Sequence, residues 1–174
     1  TLIIDPKPNR IWGTYYGGTG AEWGYNTKVS TSGNVFVCGT TSSSTSVASS
    51  GAHQSTYGGS NDAFIVKFSS NGTREWGTYY GGNADDQGSD LAVSSDESVY
   101  CTGYATSTTG IATSGAHQTS VGGSNDAFIV KFNTSGVRQW GTYYGGGGWD
   151  GGVGIRIAQD GSIVMVGWAN SGNN

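Results

Sequence analysis

The chain has 174 residues, of which 34% are hydrophobic and 11% charged, and its formal net charge is -4. Its eight Lys and Arg residues are scattered, which argues against the clustered basic surface that nucleic-acid binding requires. No stretch approaches the roughly 20 apolar residues of a membrane-spanning helix, and 6 Trp, 10 Tyr and 5 Phe argue against disorder. The 32 glycines favour many short strands joined by turns.

A 64-residue internal repeat dominates the sequence. The string Trp-Gly-Thr-Tyr-Tyr-Gly-Gly begins at Trp12, Trp76 and Trp140, so the spacing is 64 residues both times. The string Asp-Ala-Phe-Ile-Val-Lys-Phe begins at Asp62 and again 64 residues later at Asp126. A fixed period of this length is typical of repeat architectures, in which each copy is one supersecondary unit.

Four strands are predicted in each copy, and we name them A to D in chain order. In the second copy they fall at residues 89–93, 98–104, 127–132 and 137–144. Strand C reads Ala-Phe-Ile-Val-Lys-Phe, so both faces of its pleat are apolar and Lys is its single polar residue. A sheet with one wet face would alternate apolar and polar residues, so strand C predicts a neighbouring sheet on each face. Radial repetition of four-stranded antiparallel sheets is the β-propeller architecture.

The phase of the repeat divides the chain into four units. Residues 1–18 hold strands C and D, residues 19–82 and 83–146 are complete blades, and residues 147–174 hold strands A and B. Three repeats are fewer than the roughly four to eight blades of a closed propeller. Two alternatives stay open: the chain is part of a longer array, or its ends pair between molecules as a closed oligomer or a head-to-tail filament.

The recurring strings resemble the bacterial seven-bladed β-propeller (SBBP) repeat family, and the likeness extends over essentially the whole chain. The resemblance implies an all-β propeller fold and an extracellular or cell-surface protein, often one module of a larger chain. It implies no shared catalytic residues, and the sequence contains no Gly-x-Ser-x-Gly nucleophile motif. We therefore expect a non-enzymatic structural or interaction module whose partners are other copies of itself or further repeats.

Acidic residues are the first candidate site. One follows the Gly-Gly pair in each copy, at Glu22, Asp86 and Asp150. Loop carboxylates can hold Ca²⁺, the one cofactor considered, but they also accept hydrogen bonds from backbone N–H groups in turns. Asp62 and Lys67 also allow two interpretations. Either they make a contact between blades, or Asp62 forms a turn and Lys67 is a solvated residue at a strand edge.

Tryptophans form the second candidate site. Trp12, Trp76 and Trp140 occupy equivalent positions in strand D, which predicts that they dock between blades. Three other tryptophans do not repeat and lie in loops or at strand ends: Trp23, Trp149 and Trp168. Aromatic faces at such places could stack on surface glycans, so a lectin-like propeller is the alternative function.

Two cysteines lie in strand B of consecutive copies. Cys101 aligns with Val37, whereas Cys38 aligns with Thr102, so their positions along the strand differ by one. Because successive side chains point to opposite faces, we predict that the cysteines lie on opposite faces. This favours two separate buried thiols over a disulfide.

Overall fold

The computed structural model describes residues 10–171, and within them ten strands form three antiparallel sheets. Blade 1 consists of β1 (Glu22–Val29), β2 (Val35–Thr41), β3 (Asp62–Phe68) and β4 (Arg74–Tyr80). Blade 2 consists of β5 (Asp86–Val93), β6 (Val99–Ala105), β7 (Asp126–Phe132) and β8 (Arg138–Tyr144). The half-blade consists of β9 (Asp150–Ile157) and β10 (Ile163–Ala169).

This architecture confirms the predicted all-β fold of four-stranded antiparallel blades. Strands A to D lie side by side in chain order in both complete blades. The described part of the chain contains no helix, so no helix there is long and apolar enough to cross a membrane.

Strand A differs most from its predicted bounds. β6, β7 and β8 lie within one residue of the predicted strands, but β5 begins at Asp86, three residues before the predicted start at residue 89. Residues 86–88 pair with residues 103–105, and the register then shifts between Gly88 and Asp90. The bulge interrupts the alternation of apolar and polar residues, and the sequence before it is polar and glycine-rich. A period-two pattern therefore does not predict the first part of this strand.

The first copy departs from the predicted order at its strand D. Residues 12–18 carry the same string as β4 and β8 but form no strand. Among the described strands, strand D of both complete blades is an edge strand that pairs only with strand C of its own blade. Strand C of the first copy was predicted at residues 1–4, which lie outside the described residues.

Strand C lies at the centre of the packing, as its two apolar faces predict. All seven residues of β3 are buried. On one face Ile65 belongs to a core shared with Leu91 of blade 2. On the other face Phe64 belongs to a second core, against which Tyr16 packs. The blades therefore stack face to face, and the core runs through the junctions between them.

The turn between strands C and D allows a close approach of neighbouring blades. Gly72 and Gly136 have φ of 86° and 77°, in the left-handed region that favours glycine. A Cβ built on Gly72 would lie 2.7 Å from the ring of Trp12, and one on Gly136 would lie 2.7 Å from the ring of Trp76. These two glycines let a tryptophan of one copy lie directly on the turn of the next.

Gly136→Ala should lower the free energy of unfolding by about 3 kcal/mol, because the added carbon is strained at positive φ and displaces Trp76. Gly161→Ala is the matched control, since Gly161 has φ of 84° but a Cβ there meets nothing within 4 Å. That variant should lose about 1 kcal/mol. Urea unfolding measures both, and equal losses would contradict the close docking of Trp76.

Candidate functional site

The blade junctions repeat one hydrogen bond from the strand D tryptophan. Trp12 Nε1 donates to the carbonyl of Ser70 at 2.9 Å, and Trp76 Nε1 donates to the carbonyl of Thr134 at 2.9 Å. Donor and acceptor both advance by 64 residues from one contact to the next. Each tryptophan therefore contacts the C–D turn of the following copy in the same geometry.

The second tyrosine of the string makes a parallel set of contacts. The hydroxyl of Tyr16 donates to the carbonyl of Val47 at 2.8 Å, and that of Tyr80 donates to the carbonyl of Ile111 at 2.8 Å. Both acceptors lie in the long connection between strands B and C of the following copy. Burial raises the pKa of Tyr16 and Tyr80 far above the ordinary value, so both hydroxyls remain protonated donors.

Aromatic packing completes the junction between blade 1 and blade 2. The ring of Tyr80 lies 5.2 Å from that of Phe128 and 5.9 Å from that of Phe132, measured between centroids. The ring of Trp76 also packs against Phe132, at 6.2 Å. Strand C of each blade thus supplies the surface on which the preceding strand D docks.

The third copy of the string is far more exposed than the second. Trp76 and Tyr80 are 7% and 0% exposed, whereas Trp140 and Tyr144 are 36% and 58% exposed. The structure therefore places two of the three strand D tryptophans, Trp12 and Trp76, on a following blade. It leaves Trp140 on a face that is partly open.

A cavity of about 450 Å³ lies between blade 2 and the half-blade. Tyr144, Trp168, His117 and Asp150 are among its lining residues. At the preceding junction the equivalent tyrosine is covered by Phe128 of strand C. Because the half-blade consists of strands A and B only, the cavity corresponds to the place that a strand C occupies in a complete blade.

The carboxylates at Glu22, Asp86 and Asp150 have equivalent hydrogen-bond partners. Each accepts a hydrogen bond from a glycine N–H four residues earlier and from a serine hydroxyl 21 residues later. In blade 2 the donors to Asp86 are Gly82 N at 2.8 Å and Ser107 Oγ at 2.6 Å. Each carboxylate thereby joins the loop entering strand A to the loop leaving strand B, which is the turn interpretation.

Calcium binding at these three positions stays a prediction. They lie in separate copies, and residues 10–171 include no group of three or more His, Cys, Asp or Glu that could hold a metal ion. The carboxylate oxygens at these positions already accept hydrogen bonds from N–H and O–H groups. A calcium ion would instead need further oxygen ligands around it, and an N–H group cannot be one.

A second carboxylate lies beside two of these acids, which the sequence interpretation missed. A Cβ built on Gly81 would lie 2.7 Å from both Asp62 Oδ1 and Asp86 Oδ2. The pair is repeated in the next copy, where Asp126 lies beside Asp150. Oδ1 of Asp62 and Oδ1 of Asp126 are buried and accept no hydrogen bond within the described chain.

The charge of the first pair depends on pH. Burial raises the pKa of Asp62 to about 6, and the neighbouring Asp86 adds to the rise. Burial also raises the pKa of Asp86. When two buried carboxylates lie side by side, a second negative charge is costly, so one of the two carboxyl groups tends to stay protonated.

Lys67 is buried, so its prediction as a solvated edge residue is wrong. Its side chain reaches across the junction, where Nζ lies 2.8 Å from Glu97 Oε2, and it also lies 3.0 Å from Glu75 Oε2. Burial alone would lower the pKa of Lys67, but hydrogen bonds with Glu97 and Glu75 outweigh it and raise the pKa. The hydrogen bond from Lys67 likewise lowers the pKa of Glu97 to about 2.

The non-repeated tryptophans lie at one end of the sheets but in different blades. Trp23 is near the start of β1, Trp149 directly precedes β9, and Trp168 is near the end of β10. All three are substantially exposed. Strand A begins and strand B ends at this end of each sheet. Trp23 lies in blade 1, however, and blade 2 separates it from Trp149 and Trp168 at the half-blade. The structure therefore does not bring them into one site.

The stacked sheets and their repeated junctions define the class of protein as a β-propeller-type blade array. Residues 75–113 match the family model of the SBBP β-propeller repeat. This segment runs from β4 into the loop after β6, so it contains Trp76, Tyr80 and the Ile111 carbonyl that accepts a hydrogen bond from Tyr80. The match confirms the resemblance predicted from the recurring strings. No curated protein matches the chain.

Asp62→Asn should make the chain more stable at pH 8 by about 1 to 3 kcal/mol, because the amide replaces a carboxylate whose ionisation is unfavourable in the fold. The raised pKa of Asp62 means that its protonated form stabilises the fold fully below about pH 4, and this contribution is lost as pH rises through about 6. The gain should therefore shrink towards pH 4. Urea unfolding at both pH values measures it.

Asp96→Asn is the control with the opposite sign. Hydrogen bonds from Ser94 and the Ser98 backbone lower the pKa of Asp96 to about 2. Its contribution is therefore present above about pH 4 and lost as pH falls through about 2. Asp96→Asn should destabilise at pH 8, and a stability gain from both substitutions would contradict the assignment to Asp62.

Proposed function

We propose that this chain is a non-catalytic structural and interaction module of an extracellular or cell-surface protein, whose blades stack head to tail onto further copies of the same repeat. One observation carries the proposal. Trp76 and Tyr80 are buried on the following blade, whereas Trp140 and Tyr144, in the same string, are exposed. The open face of blade 2 and the half-blade thus presents a docking string to a further blade.

The edge of the half-blade supports the same proposal. In the described chain β10 pairs only with β9, whereas β2 and β6 each have a strand on both sides. Val164 and Val166 of β10 are exposed. An apolar edge strand with unpaired backbone groups is a template for another strand. Strand C of a further copy would pair with this edge, strand D would pair with that strand C, and the added pair would cover the docking string.

Two sources of that copy fit the geometry. It comes from a longer version of the same chain, or from another molecule in a heterologous head-to-tail contact that produces rings or filaments. The non-catalytic character is supported by the junction carboxylates, which accept hydrogen bonds from glycine N–H and serine O–H groups. The extracellular location is supported by the family resemblance.

Light scattering and electron microscopy of the 174-residue chain test assembly between molecules. We expect concentration-dependent rings or filaments, and Trp140→Ala with Tyr144→Ala should weaken association at least tenfold, because aromatic anchors dominate such interfaces. Trp149→Ala is the control, since Trp149 is exposed but lies outside the docking string.

A particle that remains monomeric at every concentration would contradict assembly between molecules. A chain lengthened by one more 64-residue copy then tests the other source, with a blue shift of Trp140 fluorescence as the expected sign of burial. Continued exposure of Trp140 in that longer chain would contradict the proposed function itself.

Glycan binding is the second candidate function. It is favoured by the three exposed tryptophans at the strand A entry end, because side chains there differ between copies while the scaffold repeats. The position of Trp23, for example, is Gln87 in the next copy. Exposed aromatic rings on loops held by a rigid scaffold are typical of binding sites.

Trp149→Ala and Trp168→Ala should each lower the affinity for a recognised glycan about tenfold or more, because each removes a stacking surface worth about 1 to 3 kcal/mol at a binding hot spot. Glycan-array binding followed by calorimetry measures the loss. Trp140→Ala is the matched control and should leave glycan affinity unchanged. An array without signal, or signals insensitive to Trp149→Ala, would rule this function out.

A further inference from the structure

The two cysteines face each other across the junction between blade 1 and blade 2. Cys38 in β2 and Cys101 in β6 are both fully buried free thiols within one continuous core. The repeat shows how they are oriented, because Cys38 aligns with Thr102 and Cys101 aligns with Met165. At the next junction Thr102 Oγ1 lies 3.0 Å from Met165 Sδ. The cysteines occupy the corresponding pair of positions one junction earlier.

The predicted opposite orientation of the cysteines is what brings them together. Strand parity places Cys38 on the face of blade 1 that meets blade 2, and Cys101 on the face of blade 2 that meets blade 1. Opposite faces of consecutive blades are adjacent in a stack. The structure confirms two buried free thiols, as the strand positions predicted. The prediction compared faces within one blade, so it did not show that the two thiols meet across a junction.

Glycines bring β2 of blade 1 close to β5 of blade 2, the strand that pairs with β6, at this level. A Cβ built on Gly88 would lie 3.1 Å from the carbonyl oxygen of Gly39 and 3.4 Å from Cys101 Sγ. Gly39 directly follows Cys38, so both cysteines adjoin the point of closest approach. A hydrogen bond with the Cys38 thiol, followed by burial, raises the pKa of Cys101 well above its usual range, which is consistent with thiol contact.

We propose that Cys38 and Cys101 form a disulfide that covalently joins blade 1 to blade 2. Both S–H bonds break and one S–S bond forms, while two electrons and two protons pass to a low-molecular-weight disulfide, whose S–S bond breaks to give two thiols. The thiolate of one cysteine first attacks that oxidant, and the other cysteine then displaces the mixed disulfide. Both thiols are buried once the blades pack, so this exchange takes place during folding, while the blades are still apart.

The bond stabilises one junction and leaves the other unlinked. The second junction has Thr102 and Met165 at the same positions, and this pair cannot be oxidised to a cross-link. Blades 1 and 2 then form a covalent unit, while the half-blade depends on packing alone. This inference does not depend on the proposed assembly or on glycan binding.

Refolding the full chain in a glutathione redox buffer tests the proposal. We expect both free thiols to disappear, the intact mass to fall by about 2 Da as two hydrogens are lost, and a peptide joining Cys38 to Cys101 to appear after proteolysis. The thermal midpoint should lie about 5 to 15 °C above that of the reduced protein, since the bond closes a long loop. Two thiols that survive oxidative refolding, glutathione adducts, or only intermolecular disulfides would overturn the proposal.

The double variant Cys38→Thr with Cys101→Met is the matched control, because it installs the pair already present at the second junction. It should fold, and its thermal midpoint should be the same in oxidising and reducing buffers. An equal rise for this variant in oxidising buffer would overturn the proposal, since the oxidant would then act elsewhere. Equal midpoints for oxidised and reduced native sequence would also overturn it.

Discussion

The two apolar faces of strand C are the constraint on which the rest of the structure depends. In β3 Ile65 points into the core shared with blade 2, and Phe64 points into the core formed with the preceding string. A single four-stranded sheet could cover neither face, because its own strands lie beside β3 and not above it. Burial of these residues therefore requires a neighbour on each side. Stability in such an array is a sum of blade terms and junction terms, and the junction terms decide whether a blade folds.

The repeated contacts give the stack a direction. In the two copies that precede a complete blade, tryptophan and tyrosine of the string reach to the turn or loop of the next copy, as Trp76 and Tyr80 do. Such a contact is heterologous, so it has one donor face and one acceptor face and does not terminate itself. The exposure of Trp140 and Tyr144 follows from this geometry and not from a change in sequence, since the string is the same.

Much of this arrangement could be predicted from sequence, and the failures share a physical origin. Period-two patterns and fixed spacing located β7 and β8 to within one residue, and the repeat identified the tryptophans of strand D as an equivalent set. A strand pattern states which side of its own sheet a residue faces, but not what the neighbouring blade places there. Lys67 was misjudged because its partner Glu97 lies in the next blade, at a position where the other copies have Gly33 and Gly161. The cysteine pair was missed for the same reason.

Residues that differ between copies make the junctions chemically distinct. Asp90 is buried in β5, where it accepts hydrogen bonds from Asn26 Nδ2 in blade 1 at 2.5 Å and from Ile155 N in the half-blade at 2.9 Å. Arg156 of the half-blade also lies 2.6 Å from it. The copies have Asn26 and Gly154 at the equivalent positions, so only one blade provides this carboxylate. A buried charge is costly without its partners, so a blade in the wrong place would leave Asp90 unpaired. The shared string thus makes the same contacts at both junctions with a complete following blade, and unshared residues such as Asp90 add contacts that the other copies cannot make.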